Sequence, residues 1–151
     1  MAISVDSSTI GKLYEFDGND FVQIKKIWDV NETSNSLIYS AEEILITNWV
    51  VNDSNGGEGE TSQTKSWDVS GYDTVEIIFS GRAYDYAAWP DWLCHNRIVV
   101  NGTTYNCNGS TITKTIALNG TATLSVQVIS SAWGGGLANA FPVTVTSIRI
   151  Y

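Results

Sequence analysis

What most constrains this chain is a two-residue alternation of apolar positions, interrupted again and again by Asn-Gly. Val75, Ile77 and Phe79 form one series, Ile112, Ile116 and Leu118 a second, and Ala122, Leu124, Val126 and Val128 a third. Side chains two apart on an extended backbone share a face, so each series marks a strand that buries one side. Thr111, Thr113, Thr115, Thr121, Thr123 and Ser125 fill intervening positions, as suits a solvated pleated face where β-branched residues are favoured. Asn-Gly tolerates the positive φ of a type I′ turn and occurs at Asn101-Gly102, Asn108-Gly109 and Asn119-Gly120, which implies three hairpins in series.

With Asn101 and Gly102 as central turn residues, Val100 faces Thr103, Ile98 faces Tyr105 and Asn96 faces Cys107, and Cys94 lies one diagonal step away on the same face. The two cysteines read equally well as buried thiols and as a disulfide closed by a bulge. No stretch sustains a helical apolar period, and at most one short helical turn is expected near Ala87 to Leu93. Strands are expected near 44–51, 64–68, 73–81, 96–101, 103–107, 111–118, 121–130 and 142–151, with longer loops at 52–63, 82–95 and 131–141. The last strand carries Val143 and Val145 on one parity and Ile148 and Ile150 on the other, which a bulge near Thr146-Ser147 would produce. The fold class that follows is all-β, a two-sheet antiparallel β-sandwich of jelly-roll type over residues 43–151.

Residues 1–42 differ. An apolar and basic stretch, FVQIKKIWDV, is followed by the polar Asn31-Glu32-Thr33-Ser34-Asn35 and by Ser36-Leu37-Ile38-Tyr39-Ser40. One small N-terminal β-hairpin is the simplest account, and an isolated hairpin is marginal in water, so it must pack on something. The segment reads as an attachment or oligomerisation element, or as extra strands of the same domain.

Charge and length narrow the function. A chain of 151 residues is long enough for one core without staples, and a net charge of −8 repels a phosphate backbone, so nucleic acid is excluded as the expected partner. MAISVDSSTI lacks the basic start and apolar run of a secretion signal, and no segment approaches the roughly 20 apolar residues of a membrane span, so no membrane insertion is expected. Cys94, Cys107 and the lone His95 do not make a zinc site, and no metal or cofactor is expected.

Ile24-Lys25-Lys26-Ile27-Trp28, a short polar loop and Ser36-Leu37-Ile38-Tyr39-Ser40 together resemble the Lys-Lys-Ile-aromatic modules near the start of tail-associated proteins of phages and prophages of Gram-positive gut bacteria. The resemblance covers about 25 residues of the chain. Ser66-Trp67-Asp68-Val69-Ser70-Gly71-Tyr72-Asp73 and Thr146-Ser147-Ile148-Arg149-Ile150-Tyr151 resemble strand and turn phrases of jelly-roll carbohydrate-binding and phage-tail domains. The resemblance implies a virion location, with extracellular as the alternative, and implies no site residue. A protein released by lysis needs no export signal, in keeping with the first ten residues.

The most unusual stretch is GRAYDYAAWPDWLCHN, which gathers Tyr84, Tyr86, Trp89 and Trp92 with Arg82, Asp85, Asp91, His95 and Asn96. A sugar ring presents an apolar C–H face and a hydroxylated rim, so its receptor needs a flat aromatic platform flanked by amides, carboxylates or guanidinium groups. Trp89 and Trp92 serve that role or fold back as a lid on the core. Trp133, followed by Gly134-Gly135-Gly136, is a second platform or a cover for one end of the core. Trp28, Trp49 and Trp67 sit in expected strands and read as core or subunit-interface residues. The acidic, glycine-bent 52–60 segment has the oxygen chemistry calcium takes but not an EF-hand spacing, and reads as a solvated loop. Five Asn-x-Ser/Thr sequons begin at Asn31, Asn52, Asn101, Asn108 and Asn119, and three coincide with the Asn-Gly turns, which account for them without glycosylation.

Catalysis has little to draw on. His95 is the only candidate base for a triad and no nucleophile elbow is present, while Asp85, Asp91, Glu58 and Glu60 are ordinary loop carboxylates in a chain small for a glycosidase. The expectation is therefore a non-enzymatic, phage tail-associated receptor-binding protein that recognises host-surface carbohydrate. Its expected ligand-binding residues are Tyr84, Asp85, Tyr86, Trp89, Asp91, Trp92 and Trp133, and its expected partners are a host-surface glycan and other virion tail proteins. Avidity from several copies makes a homo-oligomer, most simply a trimer, the natural form. The alternatives are a purely structural virion protein and the carbohydrate-binding module of a secreted enzyme.

Overall fold

The computed structural model describes residues 13–16, 21–24, 26–30, 35–40, 42–52, 59–83, 86–89, 92–132 and 141–151. The chain divides into two compact units, Met1–Glu43 with Tyr151, and Ile44–Ile150. In the first unit, β1 (Leu13–Phe16) pairs antiparallel with β2 (Phe21–Ile24), and β3 (Lys26–Val30) with β4 (Asn35–Ser40). Two hairpins therefore stand where one was expected. FVQIKKIWDV divides between them, because its first four residues pair backwards with Leu13–Phe16 and its last five pair forwards.

The larger unit holds two four-stranded sheets built from β5 (Glu43–Val51), β6 (Gly59–Asp68), β7 (Thr74–Ser80), β10 (Arg97–Val100), β11 (Thr103–Asn106), β12 (Ile112–Ala117), β13 (Thr123–Ala132) and β14 (Val143–Ile150). Their orders are β11-β10-β13-β6 and β12-β7-β14-β5. A further hairpin, β8 (Tyr86–Trp89) with β9 (Trp92–Cys94), stands between β7 and β10. The architecture is the expected all-β antiparallel sandwich, and the chain changes sheet at nearly every connection.

The central strands carry the core. Ile98 and Val100 on β10, Leu124, Val126 and Val128 on β13, Val75, Ile77 and Phe79 on β7, and Val143, Val145, Ile148 and Ile150 on β14 are all buried. Burying a side chain of this size stabilises by roughly 1.5–3 kcal/mol relative to leaving it in water, which is why these four strands define the faces. On β14 the register shifts between Val145 and Ser147, as expected, and the bulge turns both apolar parities inward. Ala122, which continues the β13 alternation by parity, lies outside the strand and is exposed.

Of the three expected hairpins, only Asn101-Gly102 makes one. Asn101 (φ 46°) and Gly102 (φ 83°) join β10 to β11 in the expected register, with Val100 opposite Thr103 and Ile98 opposite Tyr105, and Cys107 N–H donates to Asn96 O at 3.0 Å. Asn119 (φ 49°) and Gly120 (φ 77°) have the same left-handed pair, yet they link β12 in one sheet to β13 in the other. Asn108-Gly109 likewise links β11 to β12 across the sheets. The turn chemistry is local, whereas the partner of each strand is set by which face it must bury. β6 also begins earlier than expected, at Gly59, because it pairs along the whole of β13 as far as Ala132. The helical turn expected near Ala87 to Leu93 is instead the β8–β9 hairpin, whose ladder satisfies the backbone groups that a single helical turn would leave open.

Each lateral seam of the sandwich is closed by a lysine from one sheet's edge strand over an aromatic ring from the other's. Lys65 of β6 is the cross-strand partner of Val126, so it points inward, and its Nζ lies 5.0 Å from the centroid of Trp49 on β5. Lys114 of β12, opposite Ile77, lies 5.7 Å from the Tyr105 ring on β11. An inward charge on an edge strand also discourages another strand from adding there. Trp49 is buried, as its strand position suggested, and its Nε1–H donates to Gln63 Oε1 at 3.0 Å; Trp67 is half-buried. Trp49→Phe removes that hydrogen bond and the better cation–π surface, and is expected to cost about 1–2 kcal/mol, read as a lower urea midpoint at unchanged m-value.

Candidate functional site

Three segments converge at one end of this unit: the root of the β8–β9 hairpin at Cys94–Asn96, the end of β13 at Ser130–Ser131, and Phe141 just before β14. Asn96, with no exposed surface, ties them together. Its Nδ2 donates to Phe141 O (3.2 Å), its Oδ1 accepts from Ser131 N–H (2.9 Å), and its backbone carbonyl accepts from Cys107. Ser130 Oγ donates to the same Phe141 carbonyl (2.8 Å), and the Ser131 hydroxyl accepts from His95 N–H (3.3 Å). A buried polar network of this kind is stable only because every member finds a partner. It ties the root of the hairpin to Ser130–Ser131 and to Phe141.

Cys94 and Cys107 are free buried thiols, which selects one of the two readings open from the sequence. Cys94 Sγ donates to Ser131 O at 3.4 Å, as only a thiol can. Burial pushes the Cys107 thiol up to about 12, with the neighbouring Cys94 adding to the shift, and burial raises Cys94 as well, so neither is poised as a nucleophile.

On the outer face, Arg97 holds Glu60 with two bonds, Nη1 to Oε1 (2.7 Å) and Nη2 to Oε2 (3.0 Å), and also donates from Nη1 to His95 O (2.8 Å). The pair spans β13, from β10 to β6, and engages the one residue of the acidic 52–60 segment whose carboxylate is described. The Arg97 hydrogen bond holds the Glu60 carboxyl below the usual range, against a smaller opposing effect of burial. A carboxylate depressed in the folded state contributes stability above its unfolded pKa, and that contribution is lost as pH falls through the folded value. Since Glu60 is 41% exposed, the gap between wild type and Glu60→Gln is expected to stay below about 1 kcal/mol at pH 6 and to close as urea midpoints are taken down to pH 3. A gap that stayed constant with pH would overturn this.

Beside the network lies an open groove of about 530 Å³ lined by Ser80, Gly81, Arg82, Ala83, Asn108, Gly109 and Pro142. Gly109 N–H donates to Gly81 O (3.1 Å), and Asn108 Oδ1 accepts from Ser110 N–H (2.9 Å), which sets one wall. The Arg82 guanidinium lies 5.7 Å from the Phe141 ring centroid, and Phe141 packs with Cys94 in the core. The groove therefore adjoins Phe141 and, through it, Cys94 at the root of the hairpin.

Of the residues expected to bind ligand, Tyr86 and Trp89 lie on β8 and Trp92 on β9, with Tyr86 opposite Cys94 and Trp89 opposite Trp92 across the hairpin. For these three, the backbone alone is described. Tyr84, Asp85, Asp91 and Trp133 lie outside the described residues, as do residues 53–58 of the acidic segment. Among the described residues no group of three or more His, Cys, Asp or Glu side chains could hold a metal, and no helix is long and apolar enough to cross a membrane.

Sequence reasoning missed the groove and the network. Asn96 was legible as a polar residue on the inward parity of Cys94, Ile98 and Val100, and Ser130 extends the series Leu124, Val126 and Val128 in the same way. The Asn108-Gly109 dipeptide signals only a turn, and its place against Gly81 and Arg82 has no local signature.

The chain matches no protein-family model and no curated protein. Among solved structures, the CBM36-1 domain of a multidomain xylanase from the hindgut metagenome of Trinervitermes trinervoides is similar over 73% of this chain and 96% of that one, at 17% identity and a TM-score of 0.34. A structure of infectious bursal disease virus, Gt strain, is similar over 89% of this chain and 40% of that one, at 9% identity and a TM-score of 0.34.

Proposed function

We propose that this chain is a non-catalytic carbohydrate-recognition module, acting on a phage tail as a receptor-binding protein for host-surface glycan. One observation carries the recognition reading: Trp89 and Trp92 are cross-strand partners on a hairpin whose root is fixed by a buried network and adjoins a polar groove. In this reading Trp89 and Trp92 supply stacking area for a sugar's C–H face, and the amide, hydroxyl and guanidinium groups of the groove suit its rim. A root tied by hydrogen bonds lowers the ordering cost of binding at the hairpin. Tyr84, Asp85, Tyr86, Asp91 and Trp133 complete the proposed binding edge.

The tail location rests on the Ile24-Lys25-Lys26-Ile27-Trp28 module and its neighbours. In this reading residues 1–42 attach or oligomerise the protein, and several copies per particle raise avidity at a shallow site. Light scattering that shows a monomer at high concentration removes the trimer.

The test is binding of labelled protein to a panel of bacterial surface polysaccharides and intact Gram-positive cells, alongside Trp89→Ala/Trp92→Ala and Trp133→Ala. Saturable binding, lost in a variant that keeps its amide dispersion, is the expected result. No binding by the native protein to any panel member overturns the reading in favour of a structural virion part.

A further inference from the structure

The Asn-Gly pairs that turn this chain are also its chemically weakest points. Glycine has no side chain to hinder its own nitrogen, so in Asn-Gly that nitrogen reaches the preceding side-chain amide with least obstruction. Once it gives up its proton it attacks the asparagine Cγ: an N–Cγ bond forms, the Cγ–Nδ2 bond breaks, and Nδ2 leaves as ammonia, taking up a proton. Water then opens the resulting succinimide at either carbonyl, giving aspartate or isoaspartate. Nothing is oxidised or reduced. Ring closure asks two things of the fold: the asparagine side chain must be free to swing over the next nitrogen, and that nitrogen must be free to lose its proton.

Three Asn-Gly pairs lie among the described residues, all exposed and each followed by Thr or Ser, so neither accessibility nor local sequence separates them; Asn55-Gly56 lies outside the described residues. Asn101 and Asn119 are a matched pair, since both begin Asn-Gly-Thr and both are left-handed, with φ 46° and 49°. Their tertiary bonds differ. Asn101 Oδ1 accepts from Ser125 N–H at 2.8 Å, its own N–H donates to Ser125 O at 2.9 Å, and the flanking Val100 and Thr103 are paired strand residues. Asn108 Oδ1 accepts from Ser110 N–H (2.9 Å), and the Gly109 N–H that would have to be lost donates to Gly81 O (3.1 Å). Among the described residues, neither the Asn119 side chain nor the Gly120 N–H has a hydrogen bond. Thr121 N–H closes that turn onto Leu118 O (2.8 Å), and residues 118, 121 and 122 around it belong to no strand.

We propose that Asn119 is a deamidation site, the one of the three described Asn-Gly pairs that converts while the chain is folded, with water as the only co-reactant. Asn101 is held by the hairpin and by Ser125, and Asn108 by Ser110 and by the bond from Gly109 to Gly81. Conversion places a new negative charge in the turn that carries the chain from β12 to β13, and the isoaspartyl product lengthens that sheet crossing by one backbone methylene.

The experiment incubates the full chain at mildly alkaline pH and follows the mass gain of an amide-to-acid exchange by tryptic mapping. Asn101 and Asn108 fall in Ile98–Lys114, Asn119 in Thr115–Arg149 and Asn55 in Ile27–Lys65, and fragment ions place each gain on one residue. In the folded chain Asn119 is expected to convert about tenfold or more faster than Asn101 and Asn108, the factor that one or two net hydrogen bonds correspond to. In concentrated guanidinium chloride, where those bonds are gone, the three pairs are expected to convert at similar rates. Asn101 or Asn108 converting as fast as Asn119 in the folded chain overturns the assignment, as does an Asn119 that stays intact over an interval in which the unfolded chain converts. The same ranking with and without denaturant overturns it too, because the selectivity then comes from the local sequence and not from the bonds.

Discussion

Asn96→Ala is expected to lower the unfolding free energy by about 3 kcal/mol, because one side chain's removal orphans a buried N–H and weakens a second bond. The Ser131 amide loses its acceptor in a place with no exposed surface, while the Phe141 carbonyl keeps Ser130 Oγ. In a unit of this size the transition midpoint should fall by more than about 10 °C. Asn96→Asp, nearly the same shape, separates hydrogen bonding from packing. It keeps the acceptor for Ser131 but turns a carboxylate oxygen towards Phe141 O, where Nδ2 now donates. Burial would raise that carboxyl above its unfolded value of about 3.9, so the folded state binds the proton more tightly. The variant's deficit against wild type should then be smallest at low pH and grow as pH rises past the unfolded pKa. A flat difference between pH 3 and 7 would sink the assignment. Hydrogen exchange at the Ser131 amide reads the same network directly, and should accelerate in both variants.

Gly81 carries the second large expectation. Its φ is outside the left-handed region, so the backbone alone would accept alanine, and such a change ordinarily stabilises by about 0.4–1 kcal/mol through the unfolded chain. Here a Cβ would sit 2.9 Å from Cys107 Sγ and 3.3 Å from Val143 Cγ2. Cys107 is buried and its N–H is tied to Asn96 O, and Val143 has no exposed surface, so neither can swing aside cheaply. Gly81→Ala is expected to destabilise by about 2 kcal/mol, the usual cost of overpacking. Adding Cys107→Ala removes the atom that obstructs the new methyl group. The double variant should then recover about 1–2 kcal/mol relative to the sum of the singles, a coupling expected only of groups in contact. Strict additivity in urea melts would show that the two positions do not touch. Because Gly81 also lines the groove, the same series reports on how its wall is held.

Much of the fold was legible because alternation is a local consequence of extended geometry. Val75, Ile77 and Phe79 point the same way wherever that strand pairs, and the mixed parity of Val143, Val145, Ile148 and Ile150 required a bulge before any neighbour was known. The β8–β9 hairpin was not legible, since Tyr86-Ala87-Ala88-Trp89 has no polar-apolar alternation and the residues between the strands are not an Asn-Gly pair. The polar edges were equally silent: β6 is mostly exposed, and Lys65 declares its inward direction only through its partner Val126.

The candidate site divides along the same line. Aromatic density in 81–96 was visible as composition, and it drew attention to the hairpin now seen to pair Trp89 with Trp92. The groove beside it joins residues 80–83, 108–109 and 142, brought together by three separate sheet crossings. By itself, then, the sequence determined which faces are apolar, where the chain can turn, and that strands rather than helices form, because each follows from dihedral preferences and side-chain direction over a few residues. Only the tertiary structure decided that two of three Asn-Gly turns cross between sheets, that Asn96 is a buried tie, and that Arg82 and Asn108 share a groove. Strand pairing and polar satisfaction are settled between residues far apart in sequence, by the demand that every inward face be covered and every buried donor be met.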